Sequence, residues 1–442
     1  MLHVWLTHLL AVALPYPAFY VDSFNGLRCS VVGVGDANGD RIADFALAWR
    51  GTGPCRRFDP SAGMMRHGAR APVMVQEHGW VWILSGADGS PLLGLETANS
   101  DPSFGRALAS IHALDGTPAQ ALAVAGKGTI RVYSGPGLSS VLQVDSDQPQ
   151  FARTIAGGGD WNADGKGDLL VFENKQSALV YSIETSEPIG RVVLSGTPQA
   201  PKTDQSTPAM STVAIQAEEL SGPLAFVARR GGQTGCDIAL VAKENFEGKL
   251  RDVLIVVDRT GAQLLRTPVL YAQGSEFEPW ELRSLGDFNG DGAVEIGVSV
   301  INEFVLVYSG ADGRELQRIS FRGGNLHEEG SCLEGTGDLD GDGIPDFLYA
   351  ANEDGWDCDG GFLSTRSGAD KPLTSKHFSG EGLACGVGVD ACHMADVNQD
   401  GVDDIAVHLP RLRQAAMLSG KTLEVIWKVD LQEDRFAPDP GR

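Results

Sequence analysis

The chain has 442 residues, with 35 Lys and Arg against 58 Asp and Glu, for a formal net charge of −23. At 42% hydrophobic it has the material for a core, which excludes global disorder. An acidic balance of this size argues against binding a nucleic-acid backbone through bulk charge.

The longest apolar stretch, Val4–Tyr20, comes first and is interrupted by His8, Pro15 and Pro17. It is too short and broken to span a membrane. It has the core of a signal peptide, yet no Lys or Arg precedes it. Residues 1–20 are therefore read either as a signal peptide or as an N-terminal strand. The span 21–430 is read as one repetitive domain and 431–442 as a short tail. No other stretch is long and apolar enough to cross a membrane, so none is expected to.

An acidic nonapeptide then recurs five times. It reads DANGDRIAD from Asp36 to Asp44, DWNADGKGD from Asp160 to Asp168 and DFNGDGAVE from Asp287 to Glu295. It returns as DLDGDGIPD from Asp338 to Asp346 and DVNQDGVDD from Asp396 to Asp404. The pattern D-x-[DN]-x-D-G-x-x-[DE] suits a hard cation, which takes six to eight oxygens at about 2.3–2.6 Å. Side-chain ligands are expected at positions 1, 3, 5 and 9, and a backbone carbonyl at position 7. The expected sets are Asp36, Asn38, Asp40, Ile42 and Asp44; Asp160, Asn162, Asp164, Lys166 and Asp168; and Asp287, Asn289, Asp291, Ala293 and Glu295. The last two are Asp338, Asp340, Asp342, Ile344 and Asp346; and Asp396, Asn398, Asp400, Val402 and Asp404. Without a cation, three or four carboxylates in nine residues would repel one another. Up to five Ca²⁺ are expected.

An EF-hand begins the same way but needs Glu at position 12 and flanking helices. Position 12 here is Leu47, Val171, Val298, Tyr349 and Val407, and position 10 is Phe45, Leu169, Ile296, Phe347 and Ile405. Apolar residues alternating after each loop predict strands, which rejects EF-hands.

A second repeat is an apolar run ending in a tight turn. Its copies are ILSGADG (Ile83–Gly89), VYSGPG (Val132–Gly137), VYSIET (Val180–Thr185), VVDRTG (Val256–Gly261), VYSGADG (Val307–Gly313), TRSGAD (Thr365–Asp370) and MLSGKT (Met417–Thr422). Glycine is expected there for the positive φ of hairpin turns. Strand, acidic loop, strand, longer loop, strand, hairpin, strand, repeated at intervals of roughly 50 residues, predicts an all-β, seven-bladed β-propeller of four-stranded antiparallel blades. Blades two and four lack a good acidic loop: IHALDGTPAQA (Ile111–Ala121) has one Asp-Gly, and only remnants lie between Thr212 and Leu240. Packing alone is expected to hold those bends.

The unit resembles the FG-GAP repeat of integrin α-subunit propellers and many bacterial extracellular proteins. The five loops carry the likeness, with Phe104–Gly105 similar to the leading FG and Phe24–Asn25–Gly26 a looser version. It covers roughly residues 20–430. It implies a calcium-stabilised propeller used in adhesion or ligand binding, secreted or at the cell surface. Arg41 departs from the position-6 glycine and Glu295 from the final Asp. A non-glycine residue at positive φ costs about 1–3 kcal/mol, so the first site is expected to be weaker.

Partner binding is expected on the face opposite the acidic loops, where the long insertions fall. The insertion Arg50–Gly79 carries Arg56 and Arg57, and NEDGWDCDGG (Asn352–Gly361) carries Trp356. An extracellular protein or glycan is the expected ligand of a monomer. Cys332–Cys358 and Cys385–Cys392 are plausible bridges in an exported chain. No GxSxG, HExxH or P-loop occurs, so no catalytic residue is assigned. The alternative function is a hydrolase or lyase on the same scaffold, acting on extracellular carbohydrate or lipid.

Overall fold

The computed structural model describes residues 31–50, 79–95, 101, 103–111, 121–135, 137–185, 187–195, 210–229, 234–269, 279–300, 304–320, 327–354, 360–379, 389–409 and 412–431. These form seven sheets, each built from a consecutive run of strands. Blade 1 covers 31–95, blade 2 107–145, blade 3 155–215, blade 4 219–268, blade 5 279–320, blade 6 327–379 and blade 7 390–430. Each contains four antiparallel strands in sequence order. Seven four-stranded blades are what the two repeats predict.

The innermost strands are Val31–Gly35, Ala107–Ile111, Ile155–Gly159, Glu219–Ala228, Pro279–Gly286, His327–Gly335 and Asp390–Met394. Each packs against the innermost strand of the next blade, and the seventh returns to the first. The second strands read as nearly continuous apolar runs, such as Leu169–Phe172 and Ile238–Ala242, because both their faces are covered. Seven apolar clusters result, one for each interface between adjacent blades.

Among the described residues the ring closes by packing between blades 7 and 1, each sheet being built from its own consecutive strands. Phe45 and Trp427 stack with ring centroids 5.9 Å apart, and Trp427 Nε1 donates to Gly86 O at 2.8 Å. Blade 3 departs from the repeat. Ser211–Ile215 joins its outer edge as a fifth strand, parallel to Pro188–Leu194. Part of the stretch read as a remnant of blade 4 therefore belongs to blade 3.

Candidate metal centres

All five acidic nonapeptides join the first strand of a blade to the second, in blades 1, 3, 5, 6 and 7. In blades 1, 3 and 5 the residue before the loop pairs with position 9 across the strands, Gly35 with Asp44, Gly159 with Asp168 and Gly286 with Glu295, and in blade 7 Met394, two before the loop, pairs with Asp404. This pairing fixes where the loop leaves and re-enters the sheet.

Inside the loop, position 1 gathers the backbone. Asp287 Oδ1 accepts from the N–H groups of Gly290 and Asp291 at 2.8 and 3.2 Å, and its Oδ2 from Gly292 at 2.8 Å. Asp36 and Asp338 accept from the equivalent three donors. Position 6 has positive φ throughout: 71° at Arg41, and 81–88° at Gly165, Gly292, Gly343 and Gly401. The condition for strain at Arg41 is thus met. Position 4 is left-handed as well, with Gly39, Ala163, Gly290, Gly341 and Gln399 all at positive φ. Its varied residue types hide this from the sequence.

Position 9 sits deepest. Asp44, Asp168, Glu295, Asp346 and Asp404 are each at most 1% exposed. One oxygen of each accepts from the N–H at position 2, at 2.6–2.8 Å. The other oxygen faces different company. In blades 1 and 7 it accepts from the hairpin glycines Gly86 and Gly420 at 3.0 and 3.2 Å. In blade 3 the hairpin has Ile183 in place of glycine, and the buried Asp168 Oδ1 has no partner. Asp346 Oδ1 in blade 6 has no hydrogen bond of good geometry either; the Gly368 N–H comes near enough to favour its charged form but points to Pro345 O at 3.2 Å.

Burial, and then repulsion from neighbouring loop carboxylates, opposes ionisation of these groups. It pushes Asp168 and Glu295 up to about 7 and Asp346 to about 6. Asp44 and Asp404 move in the same direction. Two oxygen clusters are compact enough to share one ion: Asp287, Asp291 and Glu295, and Asp338, Asp340 and Asp346, each with carboxylate oxygens within 4.8 Å of one another. Buried, partnerless carboxylate oxygens beside other carboxylates fit a hard cation.

The hairpins between third and fourth strands lie against these loops. A Cβ at Gly86, Gly310, Gly368 or Gly420 would overlap the position-8 carbonyl oxygen of Ala43, Val294, Pro345 or Asp403. None of the four has positive φ. At these four, close approach rather than a left-handed turn is why glycine is needed; in blade 2 Gly135 has the positive φ expected of it, 76°, with nothing crowding it. The positive φ falls later in the turn, at Gly89, Gly261 and Gly313. The serines bury their side chains and cap the turn; Ser309 Oγ, for example, accepts from Ala311 N at 3.1 Å. Ser419 Oγ reaches position 5 of its loop, donating to Asp400 Oδ2 at 3.2 Å.

Blade 4 is not held by packing alone. The Arg229 guanidinium meets Asp237 Oδ1 at 3.2 Å and also donates to Thr234 O and Cys236 O, bridging the first-to-second connection. The blade 2 connection lies outside the described residues, as do Trp356, Arg56, Arg57, residues 1–20 and Phe24–Gly26. Phe104 is fully buried, and Gly105 follows it at φ 82° beside Ala48 and Val81.

Cys332 is a buried free thiol, which corrects the bridge expected between it and Cys358; Cys392 is buried too, and Cys358 and Cys385 lie outside the described residues. Cys332 faces the next blade and donates to Ala391 O at 3.0 Å. A cavity along the axis is lined by the innermost strands, among them Leu108, Thr154, Leu224 and Glu281. Glu281 accepts from Leu333 N at 2.7 Å and pairs with Arg283 at 3.0 Å, and burial pushes it up to about 8. Arg283 also reaches Glu334 at 3.2 Å.

Among the described residues no helix is long and apolar enough to cross a membrane. No protein-family model and no curated protein matches the chain. Among solved structures it is similar to BBS1N in a complex with ARL6DN soaked with lead, at 11% identity and a TM-score of 0.45, over 73% of this chain and 81% of that one. It is also similar to BamB from Moraxella catarrhalis, at 9% identity and a TM-score of 0.40, over 79% and 85% of the two chains.

Proposed function

We propose that the five acidic loops bind calcium, and that the chain is a calcium-stabilised propeller of FG-GAP type. Its role on this reading is adhesion or ligand binding, secreted or at a cell surface. The partner is an extracellular protein or glycan.

The observation that carries the metal reading is the position-9 carboxylate. It is buried in all five loops, its oxygens lie within 4.8 Å of the position 1 and 5 carboxylates in blade 5 and of the position 1 and 3 carboxylates in blade 6, and in blades 3 and 6 one of its oxygens lacks a hydrogen-bond partner. Burying a charge unpaired is costly, and a cation removes the cost. Positions 1, 3, 5 and 9 would supply side-chain oxygens and position 7 a carbonyl. When bound, the ion supplies positive charge that holds the loop closed; no chemistry on a substrate follows from it. The loops lie against the hairpins, and on this reading the ligand meets the opposite face, where the sequence pattern leads one to expect the Arg50–Gly79 insertion and Trp356.

The test is thermal unfolding of the full chain in EDTA and in millimolar calcium. Calcium is expected to raise the melting temperature by about 5 °C or more, since a ligand of the native state alone stabilises it by mass action. An identical melting temperature in both, with no calcium by elemental analysis, would remove the reading.

A further inference from the structure

The loops differ in how they manage their own charge. In blades 1, 3, 5 and 7 position 3 is Asn, and its amide acts as an internal donor. Asn38, Asn162 and Asn398 Nδ2 donate to the position-5 carboxylate at 2.8–3.0 Å, and Asn289 Nδ2 donates to Glu295 Oε1 at 3.0 Å. Blade 6 cannot do this, because position 3 is Asp340. It alone has four carboxylates at positions 1, 3, 5 and 9.

In that blade a cation arrives from the hairpin. Lys371 Nζ lies 2.7 Å from Asp340 Oδ2 and 3.3 Å from Asp342 Oδ2. The equivalent residues in the other hairpins, four past the turn's Ser or Asp, are Gly89, Leu138, Ser186, Ala262, Gly313 and Leu423. So lysine stands here in the blade with the extra carboxylate and in no other. Beneath it lies the partnerless Asp346 Oδ1, fully buried and close to Asp338 and Asp340.

We infer that Lys371 is the tethered counter-cation of the blade 6 loop: it neutralises the extra carboxylate in the absence of metal and competes with a divalent cation for the same oxygens. This rests on the calcium reading above. The loop with the most carboxylates is then not the tightest calcium site, because its affinity is reduced by its own lysine. The lysine side chain is half-exposed, so it can swing into solvent when metal arrives.

The experiment compares the full-length wild type, Lys371→Met and Lys371→Arg, using calcium titration and melting in EDTA and in calcium. Exposed ion pairs of this kind set the expected scale, about two- to fivefold tighter calcium at one site in Lys371→Met, with Lys371→Arg near wild type. Lys371→Met should melt lower than wild type in EDTA and no lower in saturating calcium. A purely structural ion pair would lower both. Adding Asp346→Asn to Lys371→Met should abolish the gain in affinity. A variant that binds calcium no more tightly than a calcium-binding wild type overturns the role of Lys371 alone. A wild type that binds no calcium overturns the reading beneath it.

Discussion

Gly86, Gly310, Gly368 and Gly420 each lie beneath a backbone carbonyl of the acidic loop. A methyl group there cannot be accommodated by rotating a side chain, because the obstacle is main chain. Gly420→Ala is expected to cost about 1–3 kcal/mol, the usual range for overpacking a tight contact. It should also disturb the Gly420 N–H bond to Asp404. Urea denaturation in saturating calcium measures it, and an unchanged midpoint would show that the hairpin can shift away from the loop. The Ser-Gly repeat is visible in the sequence as a turn signal, and so is its periodicity. Its cause is not, because the carbonyl it accommodates belongs to the acidic loop far earlier in the chain: Gly420 meets Asp403, and Gly86 meets Ala43.

Each described connection between first and second strands gathers backbone and charge around one point, and the blades do so by different means. Five use an acidic nonapeptide. Blade 4 uses an ion pair, Arg229 with Asp237, whose side chains are only 16% and 8% exposed. Removing one member of such a pair leaves the other buried and uncompensated. Arg229→Met is expected to cost about 1–3 kcal/mol, the same amount in EDTA as in calcium, since neither Arg229 nor Asp237 belongs to an acidic loop. Combining it with Asp237→Leu should recover part of the loss. Denaturation of the two variants with and without calcium checks both statements; a loss that appears only in EDTA would contradict them. The nonapeptides were legible because their oxygens are contiguous. Arg229 and Lys371 were not, since a cation's partner is set by the turn that returns the chain; Lys371 lies 29 residues beyond Asp342. The fifth strand of blade 3 escaped notice for a related reason. Ser211–Ile215 follows a long connection after Pro188–Leu194, and parallel pairing leaves no hairpin signal.

The whole molecule closes through seven similar interfaces, so perturbations of individual loops add into one unfolding transition, and pH reaches all of them together. Two sets of groups act in opposite directions. Asp168, Glu295 and Asp346 have folded values of about 7, 7 and 6, above the ordinary 3.8 of Asp and 4.5 of Glu. The metal-free native state therefore holds more protons than the unfolded chain between about pH 4 and 7, and stability falls as pH rises through that window. His408 is 1% exposed, and burial lowers it from 6.5 to about 3. There the unfolded chain holds the extra proton, so stability is complete above about 6.5 and is lost as pH falls. In EDTA the melting temperature should consequently pass through a maximum at mildly acidic pH. Calcium competes with protons for the loop carboxylates and should flatten their share of the alkaline arm, leaving in place the acid arm and the share of Glu281, which lies outside the loops and is pushed up to about 8. His408→Leu should flatten the acid arm alone, because it removes the titrating group without touching a loop. Melting curves from pH 4 to 8, with EDTA and with calcium, for wild type and His408→Leu, separate the two arms. An alkaline arm indifferent to calcium would show that the buried carboxylates do not meet the ion, whatever holds the loops closed.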